Sequence, residues 1–420
     1  MKPPGILLTL LLTLLPVLDG RAATSAVNAI NALGIDLLHQ TAPPDANALI
    51  SPYSIQTAMA MAYAGSEGGT REEMARVLHY PKDEAQLNGS FAALRTDLTA
   101  MMQRQAVRVK AMQRYGITNE PLTLITANRL FGQEGYDFRP AFLTVLTDQY
   151  QAPFEPLDFL HNASGATGQI NTWVADQTHD RIPHLIPPGA LNRATRLVLV
   201  NAIYLKAPWE TKFDERATQP RTFHLAGGTE VQVPTMALKD SFGYAQHDGY
   251  RVVVLPYVGT ELQFVILLPD HPTGLAALEA GLKPETVADA AATPPKKVIL
   301  FLPKFKLEPP ALSLTKAMLA LGMKSAFDVP PGSANFDRMA PRRPDDYLYI
   351  SDIFHQTFLK LDESGTEAAA ATAVAMARAL AIMAPTEPPV EVHVDHPFLF
   401  AIQHRPSGAC LFLGHVTDPR

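Results

Sequence analysis

Glu363-Ser364-Gly365-Thr366-Glu367-Ala368-Ala369-Ala370-Ala371-Thr372-Ala373-Val374-Ala375-Met376-Ala377-Arg378-Ala379-Leu380-Ala381-Ile382-Met383-Ala384-Pro385-Thr386-Glu387-Pro388-Pro389 is the stretch on which the reading of this chain turns. By propensity it is a helix: alanine is the best helix former, and Ser364-x-x-Glu367 has the form of a capping box. Read at every second residue it is a strand. Thr366, Ala368, Ala370, Thr372, Val374 and Met376 then share one uncharged face, and Glu367, Ala369, Ala371, Ala373 and Ala375 share the other. That alternation is what a strand entering a preformed sheet needs. Local physics does not choose between the two states, and a segment that supports both is a candidate switch.

Strand patterns flank this stretch on both sides. Downstream lie Val390–Val394, Phe398–His404 and Ala409–Val416; upstream lie Tyr347–Asp362, Val298–Leu307 and a hairpin of residues 251–257 and 261–268 around Gly259-Thr260. Arg196–Leu205 is a nearly unbroken apolar run, the pattern of a strand buried on both faces. Leu122–Phe131 is a further strand. Helical patterns dominate the first half: residues 27–40, a helix opening at Ser51-Pro52, another opening at a Thr70-x-x-Glu73 capping box, 89–115, 138–151 and the surroundings of Asn171-Thr172-Trp173-Val174. Helices first and strands later make the class α+β.

The chain has 420 residues, enough for a large core, and 36 prolines scattered without forming a linker. We expect one domain over residues 24–420, with an exposed loop over about 363–389. A net charge of −6 provides no global basic field for nucleic acid. The one cysteine, Cys410, excludes an internal disulfide and sits in an apolar strand, where it reads as a core residue. Residues 1–23 have the layout of a secretory signal: Lys2, an apolar run from Ile6 to Leu18, then small residues, with cleavage expected between positions 20 and 26. The mature protein is then expected to be secreted or periplasmic, with no membrane association after removal of the signal. Alanine and proline richness and few lysines among the cations are compatible with a bacterial exported protein.

Catalytic templates are missing: no Gly-x-Ser-x-Gly, His-Glu-x-x-His, Walker A loop or Gly-x-Gly-x-x-Gly occurs. Ser313-Leu314-Thr315-Lys316 matches Ser-x-x-Lys, but Ser351-Asp352 is followed by Ile353 rather than asparagine, and no Lys-Thr-Gly follows. His393 and His396 are close in sequence, without an evident third metal ligand. Arg104, Arg108, Lys110 and Arg114 make one helix basic. They offer a weak polyanion surface or a solvated face.

The hinge Glu363–Thr372 resembles the inhibitory hinge of the serpins, protease inhibitors with a mobile reactive loop. Val392-His393-Val394-Asp395-His396-Pro397-Phe398-Leu399-Phe400 resembles the family's C-terminal signature. Asn47–Ile55, Val200–Lys206 and Leu302-Pro303-Lys304-Phe305 match further blocks, in order and over essentially the whole mature chain. The resemblance implies three β-sheets with eight or nine helices and an exposed reactive-centre loop. It also implies a monomeric suicide substrate for a serine protease, with no enzymatic activity and no cofactor. After acylation the hinge inserts into the main sheet and drags the protease with it. A new strand of about a dozen residues at roughly 1 kcal/mol per hydrogen bond gives of order 10 kcal/mol, comparable with a whole domain's stability.

The resemblance assigns Ser51, Ser54, Asn201 and His355 to a polar shutter beneath the opening sheet. It assigns Trp209 and Lys304 to the breach where insertion starts, with Glu363 and Lys304 as an ion pair, and Glu363, Gly365, Thr366, Glu367, Ala368, Ala369, Ala370, Ala371 and Thr372 to the hinge. The family's spacing puts the reactive bond at Ala379-Leu380, for an elastase-like protease; a loop shorter by one puts it at Arg378-Ala379, for a trypsin-like one. Spacing from Pro397 leaves Met383-Ala384 as a third choice. The alternative function is a non-inhibitory member of the family acting as a binding or carrier protein.

Overall fold

A computed structural model describes residues 24–43, 45–114, 120–344, 346–367 and 388–420. The signal segment 1–23, the hinge residues Ala368, Ala369, Ala370, Ala371 and Thr372, and the candidate cleavage positions Arg378, Ala379, Leu380, Met383 and Ala384 lie outside the described residues.

The helical half begins with α1 (Thr24–Thr41), which buries Val27, Ile30, Leu33, Leu37 and Leu38 at helical spacing. After β1 (Ala48–Ile50), α2 (Pro52–Gly65) runs through the core with nearly every residue buried. It starts as its sequence requires: Ser51 Oγ accepts the Ser54 N–H at 3.2 Å, and Pro52 occupies the first turn. Next comes α3 (Gly68–Val77). The expected capping box at Thr70 is not what opens it, because Thr70 lies inside the helix. Its hydroxyl accepts Asn335 N–H at 3.0 Å, and the Glu73 carboxylate accepts the N–H groups of Lys324 and Ser325. Distant segments took the groups that a local cap would have used. Helix α4 (Glu84–Gln113) opens on Asp83, whose carboxylate accepts two backbone N–H groups.

The strands and helices that follow are β2 (Thr123–Gln133), α5 (Pro140–Tyr150), β3 (Glu155–Leu157), α6 (Phe159–Gln177), β4 (Leu197–Pro208), β5 (Gln219–His224), β6 (Glu230–His247), β7 (Tyr250–Pro256) and β8 (Leu262–Pro269). Short α7 (Leu275–Ala280) and α8 (Pro284–Asp289) lead into β9 (Pro295–Pro303), β10 (Phe305–Leu307), β11 (Leu312–Ser313) and α9 (Thr315–Ala320). The chain closes with β12 (Ile353–Thr357), β13 (Leu359–Asp362), β14 (Gly365–Thr366), β15 (Val390–His393), β16 (Phe398–His404) and β17 (Ala409–Val416). Nine α-helices are thus present among the described residues.

Hydrogen bonding joins the strands into a nine-stranded and an eight-stranded sheet. The long β6 pairs with β5 and β9 through its first part and with β7 through residues 243–247, so it ties two strand layers into the nine-stranded ladder. The hairpin of β7 and β8 turns at Gly259 and Thr260, both at positive φ (88° and 63°). In the eight-stranded sheet, β4 is covered on one face by α6, through Val198, Val200, Ala202, Ile170 and Val174, and on the other by the main core. That double cover is why Leu197–Leu205 is apolar without alternation.

The run Tyr347–Asp362, expected as one strand, is regular only from Ile353 and is interrupted at Phe358 between β12 and β13. The interruption coincides with a change of neighbour. β12 pairs directly with β4 in parallel, from Ile353 opposite Leu199 to Thr357 opposite Ile203. β13 no longer touches β4, because β14 stands between them. The sheet is therefore closed along β12 and held open by one strand width, about 4.8 Å, along β13.

Candidate functional site

The hinge begins at the open end of this sheet. Gly365 lies opposite Pro208 of β4 and Asp362 of β13; Thr366 lies opposite Ala207 and Leu361. Glu367 N–H donates to Lys360 O at 2.9 Å. Gly365 and Thr366 are strand and Glu367 is a bend with φ of 48°, so the helix-capping reading of Ser364-x-x-Glu367 fails here; Ser364 lies in the preceding turn. Sheet pairing on both sides supplies hydrogen bonds that a first helical turn lacks. Gly365 has φ of 144°, and a Cβ there would sit 2.2 Å from Ala207 O, so only glycine fits.

Thr366 and Glu367 turn to opposite sides; the rest of the expected alternation lies outside the described residues. Thr366 is fully buried and faces the core, where its hydroxyl lies 2.6 Å from that of Tyr257. Burial pushes the Tyr257 phenol up, so it stays a neutral partner. The Tyr257 ring stacks on Trp209 at 4.5 Å and 4°. Trp209 is anchored in turn: its Nε1–H donates to Asp362 O at 2.9 Å, and its backbone N–H to Ser364 O at 3.0 Å. Glu367 turns the other way and pairs with Arg181, which follows α6. Burial raises the Glu367 carboxyl above its usual range against the opposing pull of Arg181.

Glu363, at the start of the hinge, pairs with Lys304 at 2.8 Å and accepts the Thr218 hydroxyl at 2.7 Å. Burial works to raise this carboxyl, but the bonds from Lys304 and Thr218 outweigh it and hold it below the usual range.

Beneath the closed part of the sheet lies a polar cluster in an otherwise apolar layer. Ser51, Ser54, Asn201 and His355, from α2, β4 and β12, all meet there. Asn201 Nδ2 donates to Ser54 Oγ and to Asn128 Oδ1, both at 2.7 Å. Ser54 Oγ donates to Asn128 Oδ1 at 3.1 Å, and Ser51 Oγ donates to Leu411 O at 2.6 Å. His355 Nε2 accepts the Ser51 N–H at 3.0 Å, so the ring proton is on Nδ1 and is donated to Asn201 Oδ1. Burial pushes the His355 pKa down to about 3, in keeping with a neutral ring whose free lone pair faces a backbone N–H. The direct bond from His355 to Asn201 crosses the β12–β4 seam.

Sequence reasoning missed Asn128, Tyr257, Thr218 and Arg181. Asn128 stands directly opposite Asn201 in the β2–β4 register, and Trp209 forms an isolated bridge with Tyr257. Neither pairing leaves a motif in the sequence.

Other candidates resolve as structural. Ser313 and Thr315 both donate to Asp352 Oδ1 at 2.6 Å. Cys410 is buried in β17, and burial pushes its thiol up. His393 stacks on Phe301, while His396 bonds Asp395 and Pro269 O. No group of three or more potential ligands among the described residues is placed to hold a metal ion. Of the basic residues on α4, Arg104 pairs with Glu261 and Arg108 with Glu210, which neutralises half of that surface.

A family model described as Serpin (serine protease inhibitor) matches residues 28–419. The chain belongs to the serpin family. The leukocyte elastase inhibitor of Bos taurus is 36% identical over 406 residues, covering 94% of this chain and 99% of that protein. An uncharacterized serpin-like protein of Thermococcus kodakarensis is 35% identical over 397 residues, covering 94% and 86%. Among solved structures, Serpin48 of the insect Tenebrio molitor superposes with a TM-score of 0.76 at 30% identity, covering 96% of this serpin and all of that chain. The serpin fold, with nine α-helices and mixed sheets among the described residues, is the one expected from the hinge and signature blocks. No helix among the described residues is long and apolar enough to cross a membrane.

Proposed function

We propose that this serpin is a monomeric suicide-substrate inhibitor of serine proteases, neither an enzyme nor dependent on a cofactor. The observation that carries the reading is the double pairing of Gly365 and Thr366 between β4 and β13. A strand has begun to enter the sheet, in a register with an uncharged residue facing the core. Cleavage of the loop frees the rest of the hinge to follow. Past the open stretch beside β13, each residue that enters parts one direct β12–β4 pairing and replaces it with pairings on both sides.

The register itself extends the argument. Counting six residues on from Thr366 reaches Thr372. Counting six back from its partners Ala207 and Leu361 reaches Asn201 and His355. Insertion in this register therefore parts the His355–Asn201 bond and delivers a hydroxyl between its two ends. The Ala residues between them need no space beyond a methyl group on the core face.

The reactive bond is assigned to Ala379-Leu380, and the target to an elastase-like protease. The name of the bovine relative, an elastase inhibitor, agrees with that choice. Arg378-Ala379 and a trypsin-like target remain the second assignment. Export through the 1–23 segment is part of the proposal; Ala26 is buried in α1, so a cut at positions 20–23 leaves that helix whole. The polyanion surface of this reading reduces to Lys110 and Arg114, both exposed, because Arg104 and Arg108 are paired.

The test is incubation of the mature protein with pancreatic elastase and, separately, with trypsin, read by denaturing gel and mass spectrometry. A covalent band at the summed mass is expected, and the released C-terminal peptide identifies the reactive bond. Loop cleavage by both enzymes without such a band, and with no rise in melting temperature, refutes the inhibitory reading in favour of a binding or carrier role.

A further inference from the structure

Glu367 has the neighbours of a strand residue but not the backbone of one. Its N–H donates to Lys360 O at 2.9 Å, as a residue between Lys206 of β4 and Lys360 of β13 would. Its φ is nevertheless 48°, a left-handed value that is uncommon outside glycine and carries a strain cost. A strand has φ of roughly −120° to −140°. Rotation from those values to 48° points the Cα–Cβ bond closer to where a strand carries its carbonyl carbon than to where it carries its side chain. On the face away from Thr366, the side chain of Glu367 therefore runs forward along the seam, on the line where a strand would continue.

What it meets there is Arg181. The guanidinium pairs with Glu367 Oε1 and lies 5.4 Å over the ring of Phe358, the residue at which the sheet changes from open to closed. In the register that sets Thr366 opposite Leu361, Phe358 stands opposite position 369, so the pair covers the next places in the seam. Arg181 is held from behind: its N–H donates to Thr178 O at 3.0 Å, and the Ile182 N–H donates to Thr178 Oγ1 at 3.1 Å. Only one carboxylate oxygen is used. Glu367 Oε2 is buried with no hydrogen-bond partner among the described residues. A surface ion pair needs neither a left-handed backbone nor a buried, half-satisfied carboxylate, and both are costs that a local function has to justify.

We infer that Glu367 and Arg181 are a positioning pair that stops the hinge after Thr366 and sets the rate at which the rest of it enters the sheet. This rests on the insertion reading above. Entry of position 368 requires Glu367 to return to negative φ, which withdraws its side chain from the seam and breaks its bond to Arg181. The pair thus belongs to the arrested state and opposes insertion. Loss of the negative charge weakens the stop. Burial has already raised this carboxyl above its usual range, so the release begins at mildly acid pH. The other groups that face Glu367 are Lys206, paired with Glu120; Lys360, paired with Asp362; and Tyr204, whose phenol is pushed up to about 12 and whose ring meets that of His179.

The test uses the full mature protein with its loop cut by excess elastase. A gain in urea resistance after the cut reports insertion. Its rate is followed by tryptophan fluorescence, because Trp209 bonds the turn that precedes Thr366. Glu367→Gln keeps the shape of the side chain and removes its charge. This variant is expected to insert about fivefold faster than the wild type at neutral pH, the difference between a charge-assisted and a neutral hydrogen bond. Arg181→Met behaves alike, and Arg181→Lys, which keeps the charge, restores most of the wild-type rate. The wild-type rate rises as the pH is lowered to about 5, and that of Glu367→Gln does not. Folding of each variant is checked by circular dichroism. Equal rates in the wild type and Glu367→Gln, or a pH dependence that survives the substitution and so belongs to His179, overturn the stop. Faster insertion in Glu367→Gln without trapping of any protease upholds the stop and removes the inhibitory reading. Cleavage with no gain in urea resistance overturns both.

Discussion

The side-chain oxygens of Thr366 and Tyr257 lie 2.6 Å apart, both fully buried, and this contact holds Thr366 in place between β4 and β13. Tyr257 is held by the stacked ring of Trp209, and Trp209 is bonded to the two ends of the turn that precedes Thr366. Through Tyr257 the same aromatic pair meets the side chain of Thr366 in the core. Four expectations follow from this arrangement and from the cluster beneath it.

Thr366→Arg puts a cation with no partner where Thr366 is fully buried. Burying an unpaired charge costs several kcal/mol, enough to keep the hinge out of the sheet. Loop cleavage by elastase continues at an ordinary rate, while the covalent band on a denaturing gel disappears. Unchanged trapping by this variant would falsify the insertion mechanism for this chain.

Thr372→Val tests the register. If Thr372 arrives between Asn201 and His355, the variant leaves both polar groups short of a partner in the cleaved form only. The intact protein is unaffected, and the rise in stability on loop cleavage shrinks by about 1–3 kcal/mol, measured by urea unfolding before and after cleavage. An equal rise in both proteins would mean that the strand enters in another register.

His355 predicts an acid-labile shutter. Its pKa is pushed down to about 3 in the folded protein, against about 6.5 unfolded. The folded state therefore excludes a proton that the unfolded state takes up. The stability this ring supports is complete above pH 6.5 and falls as pH drops toward 3, by on the order of 4 kcal/mol. His355→Gln flattens that part of the stability–pH curve, in urea titrations from pH 7 to 4. A wild-type slope that survives the substitution would assign the effect to other groups.

Lys304→Met separates the hinge anchor from the shutter. Glu363 is then buried with only Thr218 as a side-chain partner. Because Lys304 is partly exposed, the expected loss is about 1–2 kcal/mol rather than that of a fully buried pair. Adding Glu363→Gln removes the stranded charge and recovers most of the loss. For the native pair the carboxyl lies below its usual range, so its contribution is present above about pH 4.3 and lost as pH falls further. Differential scanning calorimetry of the single and double variants reads both effects.

Much of the fold was legible because apolar patterning carries over directly into burial. Phe398–His404 and Ala409–Val416 form strands with the expected bounds, and the hairpin turns where Gly259 and Thr260 mark it. The failures have a common cause. Thr70 and Glu73 have the form of a cap but bond to Asn335, Lys324 and Ser325, and Ser364 O likewise accepts the Trp209 N–H while Glu367 pairs with Arg181. Where a local motif competes with a partner distant in sequence, the distant partner wins, and the sequence does not display it.

The family of this protein and its α+β class were determined by the sequence alone, because side-chain type and spacing carry them. The tertiary structure alone decided the conformation of Gly365 and Thr366. The segment from Gly365 to Glu367 satisfies helix and strand rules equally well, and the outcome depends on whether an open sheet edge lies beside it. Packing of β13 one strand width away from β4 creates that edge. The backbone hydrogen bonds of Gly365 and Glu367, and the burial of Thr366 against Tyr257, then settle the conformation that propensity left open.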